Sequence, residues 1–430
     1  MGGNRTLVSG IDHLASDRVT ATTLESAPTR TLRPGSAAFT VVMSLAMAMT
    51  ALAIDSMLPA FDSIRDQLGL DPDATDVAVL VTAFIIGLGF GQLPAGLLAD
   101  RFGRRPVLWG GVVIYIVGAV GTALAPTLAT MALARFVWGL GAAGPRVAVT
   151  AMIRDAFQGE EMARQMSNIM AIFLLVPMVA PSLGAAMVAL GSWRYSVWMC
   201  VAVGAVVLAL SMRLPATLPL EQRRSLNARE IGASWKIVFT TPGMIAFLAA
   251  ITFSNSVFLS YLASSENLFD TVFDLGDWFP IIFGAMAVGL AVGAIANGRV
   301  VRRVGLDRML ALTSRAFVVA SALMLVLALV TDGLPPFVLF APLMLAALMT
   351  VQVTTINANT AAMVPLGHVA GSGAAMLGMV PMVVGSVIGS LIDRQFDGTV
   401  TPLSAAFLVA SLLAFFSIRI ATVRSGVIIS

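Results

Sequence analysis

Charge is what this sequence has least of. Asp, Glu, Lys and Arg make up 11% of its 430 residues, against roughly 25% in a soluble globular chain. That is too little to coat a water-facing surface. It excludes the two or three soluble domains that the length alone would suggest at about 150 residues each. Lysine is nearly missing: Lys236 is the only one, and the remaining basic charge is arginine. The single cysteine, Cys200, lies inside an apolar stretch, which excludes an internal disulfide framework and a Cys-ligated metal site. The two histidines, His13 and His368, fall in a polar tail and at the edge of an apolar run, poor places for histidine chemistry. There is no GxxxxGK[ST] phosphate loop, no His-Glu-x-x-His pair and no Ser/His/Asp set. The net charge of +3 gives no reason to expect a nucleic-acid partner.

What the chain has in abundance is apolar residues, 58% of the total, with a mean hydropathy of +0.91. At about 20 residues per membrane crossing, the hydropathy reads as spans at 37–59, 77–98, 107–125, 128–150, 166–190 and 194–212. The series resumes at 243–263, 279–298, 309–330, 334–357, 368–391 and 401–422. The expectation is an all-α integral membrane protein with twelve transmembrane helices. The longest interior polar stretch, Pro215 to Thr241, holds Glu221, Arg223, Arg224, Arg229, Glu230 and Lys236. It divides the chain into a tail at 1–36, a six-helix half at 37–213, a linker at 214–241 and a second half at 242–430. The tail is polar, is expected to be disordered, and contains no apolar run that would make a signal peptide. Met1-Gly2-Gly3-Asn4-Arg5-Thr6 matches the N-myristoylation pattern, yet a chain with many spans needs no acyl anchor.

Arginines gather on one side of the membrane in this arrangement. That side collects the tail, Arg101, Arg104, Arg105, Arg154, Arg164, the linker, Arg299, Arg302, Arg303, Arg308, Arg419 and Arg424. The other side collects Asp62, Asp66, Asp71, Asp73, Asp76, Glu266, Asp270, Asp274, Asp277, Asp332, Asp393 and Asp397, with only Arg65, Arg194 and Arg394 as strays. Positive charge in short loops marks the cytoplasmic side, so both termini are expected there, in a plasma membrane (the inner membrane of a bacterium).

An internal repeat fits two parallel halves. Gly87, Leu88, Gly91, Gly96, Arg101 and Gly103 recur as Gly289, Leu290, Gly293, Gly298, Arg303 and Gly305, each 202 residues later (Gly96 to Gly298). Charges inside spans stand out for another reason, since each costs several kcal/mol at the bilayer centre unless paired or wet. Asp55, Arg135 and Arg146 are the three without an easy escape. At ~1.5 Å per residue, Asp55 lies about one turn and Arg135 about two turns below the acidic surface. Similar depth allows an ion pair, serving either proton coupling or static packing. Uncharged Gln92, Asn255, Gln352, Asn357 and Asn359 either line a cavity or bond between helices. Pro177 and Pro181, with Gly184 nearby, read as a kinked helix and a candidate hinge.

The segment Gly96-Leu97-Leu98-Ala99-Asp100-Arg101-Phe102-Gly103-Arg104-Arg105 resembles the signature loop between the second and third helices of the major facilitator superfamily. The resemblance implies that Gly96 permits close helix approach and that Gly103 and Arg101 belong to a conformational switch loop. It also implies that Asp100 faces the positive N-terminal end of the eleventh helix near His368, while Arg104 pairs with Asp155. The second copy has Arg302 where the first has Asp100, so this latch is expected on one side only. Ile54-Asp55-Ser56-Met57-Leu58-Pro59, Gly91-Gln92-Leu93, Arg135 with Gly139, Ala180-Pro181-Ser182-Leu183-Gly184 and the run Ala370 to Gly378 together resemble Bcr/CflA-type bicyclomycin and chloramphenicol resistance exporters, which are drug/proton antiporters.

Two tempting motifs read better without ligand chemistry, one as packing and one as a solvated loop. Gly139-Leu140-Gly141-Ala142-Ala143-Gly144 fits the dinucleotide fingerprint but lies in an apolar span with no preceding strand, where small residues serve close helix contact. Asp71-Pro72-Asp73 sits in an acidic loop. The function expected is therefore proton-coupled efflux of small amphipathic or apolar molecules by alternating access, with protons as the coupling ion, no cofactor and no obligatory protein partner. The alternatives are a transporter of one specific metabolite and, more remotely, a membrane-embedded enzyme on lipid-linked substrates.

Overall fold

Helix starts and stops are set by local chemistry that the apolar runs do not supply. In the computed structural model, which describes residues 32–70, 75–218 and 235–425, Ser36 Oγ accepts the Phe39 amide at 3.2 Å and opens helix 1 (Ala37–Asp55). Thr127 and Thr130 exchange side-chain and backbone bonds as a capping box at the start of helix 4 (Leu128–Ala156), satisfying amides that a helix end leaves open. Helix 2 (Val79–Phe102) passes to helix 3 (Arg104–Leu124) through Gly103 alone, at φ +98°. Helix 8 (Phe279–Val304) passes to helix 9 (Leu306–Val330) through Gly305 alone, at φ +88°. Only glycine takes that backbone without strain, so the repeated glycine marks the same sharp corner in each half.

The remaining crossings are helix 5 (Gly159–Ala189), helix 6 (Arg194–Ser211), helix 7 (Met244–Asn267), helix 10 (Phe337–Met363), helix 11 (Ala370–Asp393) and helix 12 (Thr401–Ser425). All twelve are long and apolar enough to cross a membrane, and no strand occurs among the described residues. Helix 1 does not end in a loop as its hydropathy suggests. A short helix, Phe61–Leu68, follows it and buries Phe61, Ile64 and Arg65. The tail up to residue 31, Asp71 and Asp73, and the linker from Glu221 to Glu230 lie outside the described residues.

Helices 1–6 and helices 7–12 pack mainly among themselves, and the two sets meet along helix 2 against helix 11 and helix 5 against helix 8. The first half is centred on Trp138, fully buried and edge-on to Phe84 (6.1 Å between ring centroids) and Tyr115 (5.4 Å). The second holds an aromatic cluster near its acidic end, with Phe273 at 5.4 Å from Phe337 and Phe279 at 5.5 Å from Phe283. At the basic end of helix 5, Gln165 and Arg164 donate to Glu161, and these bonds hold the Glu161 carboxyl below its ordinary range. Gln165 also accepts from Thr40 at 3.1 Å, tying helix 5 to helix 1.

The fingerprint-like glycines of helix 4 turn out to face two neighbours. A Cβ at Gly139 would run into the Phe84 carbonyl of helix 2, whereas one at Gly141 would meet Tyr115 Cα at 2.6 Å and one at Gly144 would meet Gly111 Cα at 2.7 Å, both on helix 3. Backbones approach this closely only where side chains are missing. Gly141→Leu should therefore abolish folded yield, since the obstacle is backbone rather than a movable side chain. Gly110→Leu on helix 3, where a Cβ meets nothing within 4 Å, should leave it unchanged. The monodisperse fraction after detergent extraction reads both.

Candidate functional site

Helix 1 delivers Asp55 as its last residue, buried to 4% exposure in the low-dielectric interior. The next residue ties this end down. Ser56 Oγ lies 3.6 Å from Cys200 Sγ of helix 6, and the Ser56 carbonyl occupies the space where a Cβ at Gly184 of helix 5 would stand. Gly184, the proposed hinge glycine, is thus the point where helix 5 touches helix 1 beside Asp55. Pro177 and Pro181 lie inside the same helix, where each removes a backbone donor. Between them, Met178 presents its backbone to Gly284 of helix 8.

The expected Asp55–Arg135 ion pair is not formed. Arg135 is fully buried and spends its donors on backbone: Nε donates to the Leu80 carbonyl at 3.1 Å and one terminal nitrogen to the Ala53 carbonyl at 2.9 Å. Its guanidinium lies over the rings of Phe84 (4.8 Å) and Trp138 (4.9 Å), each a favourable face for a cation. Rotation about helix 4 aims the arginine at the Ala53 carbonyl, two residues short of the acid on helix 1, and at the Leu80 carbonyl of helix 2. Asp55 itself makes no hydrogen bond or ion pair among the described residues. It lies within electrostatic reach of Tyr261 of helix 7, whose hydroxyl is buried with no hydrogen-bond partner among the described residues and whose ring stacks on Phe283 at 6.3 Å. The acid therefore sits at the seam between the halves. Arg146, half-buried on helix 4, likewise has no ion-pair partner among the described residues.

Beyond Asp55, toward the acidic surface, the halves are fastened. Arg65 donates to Glu266 at 3.0 Å and to Asn267, both at the end of helix 7, and is also bonded to Asp62. Arg65 and Glu266 side chains are 3% and 7% exposed. Hydropathy assigns these residues to loops, so the sequence reading missed them. A stray arginine on the acidic side was the available signal. Arg194, another stray, donates to the Ala123 carbonyl and to Gln67 and lies over Trp193 at 4.6 Å.

At mid-depth, Gln92 crosses to helix 11, its amide 2.9 Å from Met382 Sδ. Toward the basic end, the described hydrogen bonds and ion pairs no longer cross between halves. Arg104 binds Asp155 (2.8 Å), Asp100 (2.8 Å) and the Ala99 carbonyl (2.6 Å), all within its own half. Asp100 is 45% exposed, and a Cβ at Gly96 would meet nothing within 4 Å, so the close approach expected there is not made in this state. Arg101 lies over Phe102 at 5.3 Å. The side chains at 367–372, His368 included, lie outside the described residues. Arg302, in the second copy, bonds the Gly298 carbonyl of its own helix. Asp100→Asn should slow transport several-fold at equal expression, since it removes the Asp100–Arg104 ion pair and the charge that the family resemblance sets against a helix end, worth roughly 0.3–1 kcal/mol when exposed. Arg302→Ala should change it much less, and equal damage from both in a flux assay would contradict the asymmetry.

The polar candidates divide. Asn357 is buried and exchanges two bonds with Asn297 (3.0 and 3.2 Å), joining helix 10 to helix 8 rather than facing a cavity. Asn359 donates to the Thr355 carbonyl of its own helix. Asn255 packs against Gly385 of helix 11, and Gln352 is half-buried with no hydrogen bond among the described residues.

A two-half, twelve-helix bundle with a buried acid at its seam is the architecture of a secondary transporter. The Major Facilitator Superfamily model matches residues 38–390, and the chain belongs to that family: it is a multi-pass membrane transporter and not an enzyme. It is 28% identical over 380 residues (85% of this chain, 92% of the relative) to an uncharacterized MFS-type transporter, YdgK, of Bacillus subtilis. It is 25% identical over 392 residues (90% and 97%) to a bicyclomycin resistance protein homolog of Haemophilus influenzae. A chloramphenicol resistance protein of Pseudomonas aeruginosa is 34% identical over 147 residues (34% and 35%). The Bcr/CflA-type resemblance thus extends to named relatives. The fold matches the D-xylose-proton symporter with a TM-score of 0.69 at 14% identity, covering 88% of this chain and 97% of that one.

Proposed function

We propose that this transporter exports small amphipathic or apolar molecules in exchange for protons, by alternating access of a central site. The observation that carries the reading is Asp55, a buried acid at the seam of the halves with no hydrogen-bond or ion-pair partner among the described residues. It lies just inside the Arg65–Glu266 fastening. A carboxyl that alternates between a dry setting and a wet one can load and release a proton, and substrate competing for the same place gives antiport. The resistance-protein relatives support drugs as the substrate class. The basic end is the cytoplasmic one by the loop-charge rule, placing both termini inside and this state with its outer side shut. Protons are the coupling ion, the substrate and the bilayer are the partners, and no cofactor is required.

The test is growth inhibition by a panel of unrelated antibiotics and dyes with and without overexpression, followed by flux in inside-out vesicles under an imposed pH gradient. Raised resistance and gradient-driven uptake into those vesicles are expected. No change for any compound would turn the reading toward one specific metabolite.

A further inference from the structure

A second buried acid lies in the other half, away from Asp55. Asp393 ends helix 11 and is 5% exposed. Helix 11 lies on helix 7 along matched small residues, Gly385 and Gly389 against Ser256 and Ser260. A Cβ at Gly389 would meet the Ser256 carbonyl at 2.9 Å and the Ser260 amide at 3.1 Å. Four residues further along both helices, the same register sets the Asp393 carboxyl over Ser260 and Ser264. Ser260 Oγ donates to Asp393 Oδ1, and Ser264 Oγ donates to the Ser260 carbonyl at 2.8 Å. Asp393 Oδ2 has no hydrogen-bond partner among the described residues. Asp393 lines a cavity of about 20 Å³ together with Ser260, Ser264 and apolar residues including Leu268 and Leu403, room for one water-sized occupant.

Among the described residues no cationic side chain pairs with this carboxyl. Helix 7 offers it serines, and helix 12 offers Pro402 and Leu403. Glu266, further along helix 7, is committed to Arg65. Arg394 and Asp397, next in the chain, are exposed, and Asp397 accepts from Thr399. Buried carboxylates are paired, neutralised or bound to a cation. We infer that Asp393, Ser260 and Ser264 form a binding site for one monovalent cation, a proton or a sodium ion, in the second half of the transporter. The site stands whether or not Asp55 carries the coupled proton.

The experiment uses the purified full chain on an Asp55→Asn background, so that Asp55 contributes no signal and a failure of its role, read only in flux, stays separate. Infrared difference spectra across pH follow protonated carboxyl groups. Thermal unfolding at alkaline pH compares sodium chloride with choline chloride. A protonated-carboxyl band that disappears on adding Asp393→Asn assigns a proton. Absence of that band, with sodium raising the unfolding midpoint by several degrees in the parent and not in Asp393→Asn, assigns sodium. Ser260→Ala, which keeps the acid, should shift the same band or weaken the same sodium response, and it serves if Asp393→Asn does not fold. Spectra and sodium responses unchanged by either substitution would overturn the site.

Discussion

Asp55→Asn should abolish uphill efflux driven by a pH gradient while leaving downhill substrate exchange measurable. The substitution preserves size and removes only the capacity to ionise, and the native carboxylate has no hydrogen bond or ion pair among the described residues whose loss would disturb packing. Because Arg135 bonds the Leu80 and Ala53 carbonyls, lies over two aromatic faces and makes no bond to Asp55, neutralising Asp55 takes no partner from that buried cation. The variant should therefore express and unfold like the wild type. The deciding measurement is proton release when substrate is added to purified protein in weak buffer. Wild type should release protons and Asp55→Asn should not. Equal release from both would remove the proton from this residue and leave it a structural part of the helix 1 end.

The absence of an Asp55–Arg135 pair shows what a sequence can and cannot place. Hydropathy and loop charge gave depth and direction, because the bilayer imposes one axis on every helix. They gave no rotation about that axis, and rotation decides whether an arginine meets an acid or a carbonyl. Asn357 was left open between cavity and helix contact for the same reason, and its partner Asn297 lies 60 residues away. Corners were more legible. The glycine repeat set Gly103 and Gly305 at equivalent places in the two halves, and both stand at sharp corners with positive φ, a local demand on one residue. The helix 4 glycines were read correctly as packing because an apolar span has no strand to present a phosphate loop. Asp393 looked like an outer-loop acid because it closes an apolar run. The signal that it is buried, Gly385, Gly389 and Asp393 at four-residue spacing, has meaning only once helix 7 is known to lie beneath it. Arg65 and Glu266, 201 residues apart, share no local pattern at all.

Arg65→Ala should shift the transporter toward the state open on its acidic side. Removing one member of a buried ion pair costs ~3–5 kcal/mol, because the other charge is left dry and unpaired. Here that cost falls on one state only. Glu266 is buried against Arg65 while the halves are closed at this end, and when they part it meets water. At ~1.4 kcal/mol per factor of ten, even the lower figure moves the equilibrium more than a hundredfold. Glu266→Gln should do less, since the amide still accepts from Arg65, which keeps its bonds to Asp62 and Asn267. The single cysteine makes the measurement direct. Cys200 is buried, so Cys200→Ala gives a cysteine-free background. A reporter cysteine at Leu58, fully buried just before the short helix on the acidic side, should become reachable when this end opens. Labelling of that reporter by a membrane-impermeant maleimide should be slow in the parent, fast in Arg65→Ala and intermediate in Glu266→Gln. Identical rates in all three would mean that apolar contacts alone hold the outer side shut and that the cross-half charges ride along with it.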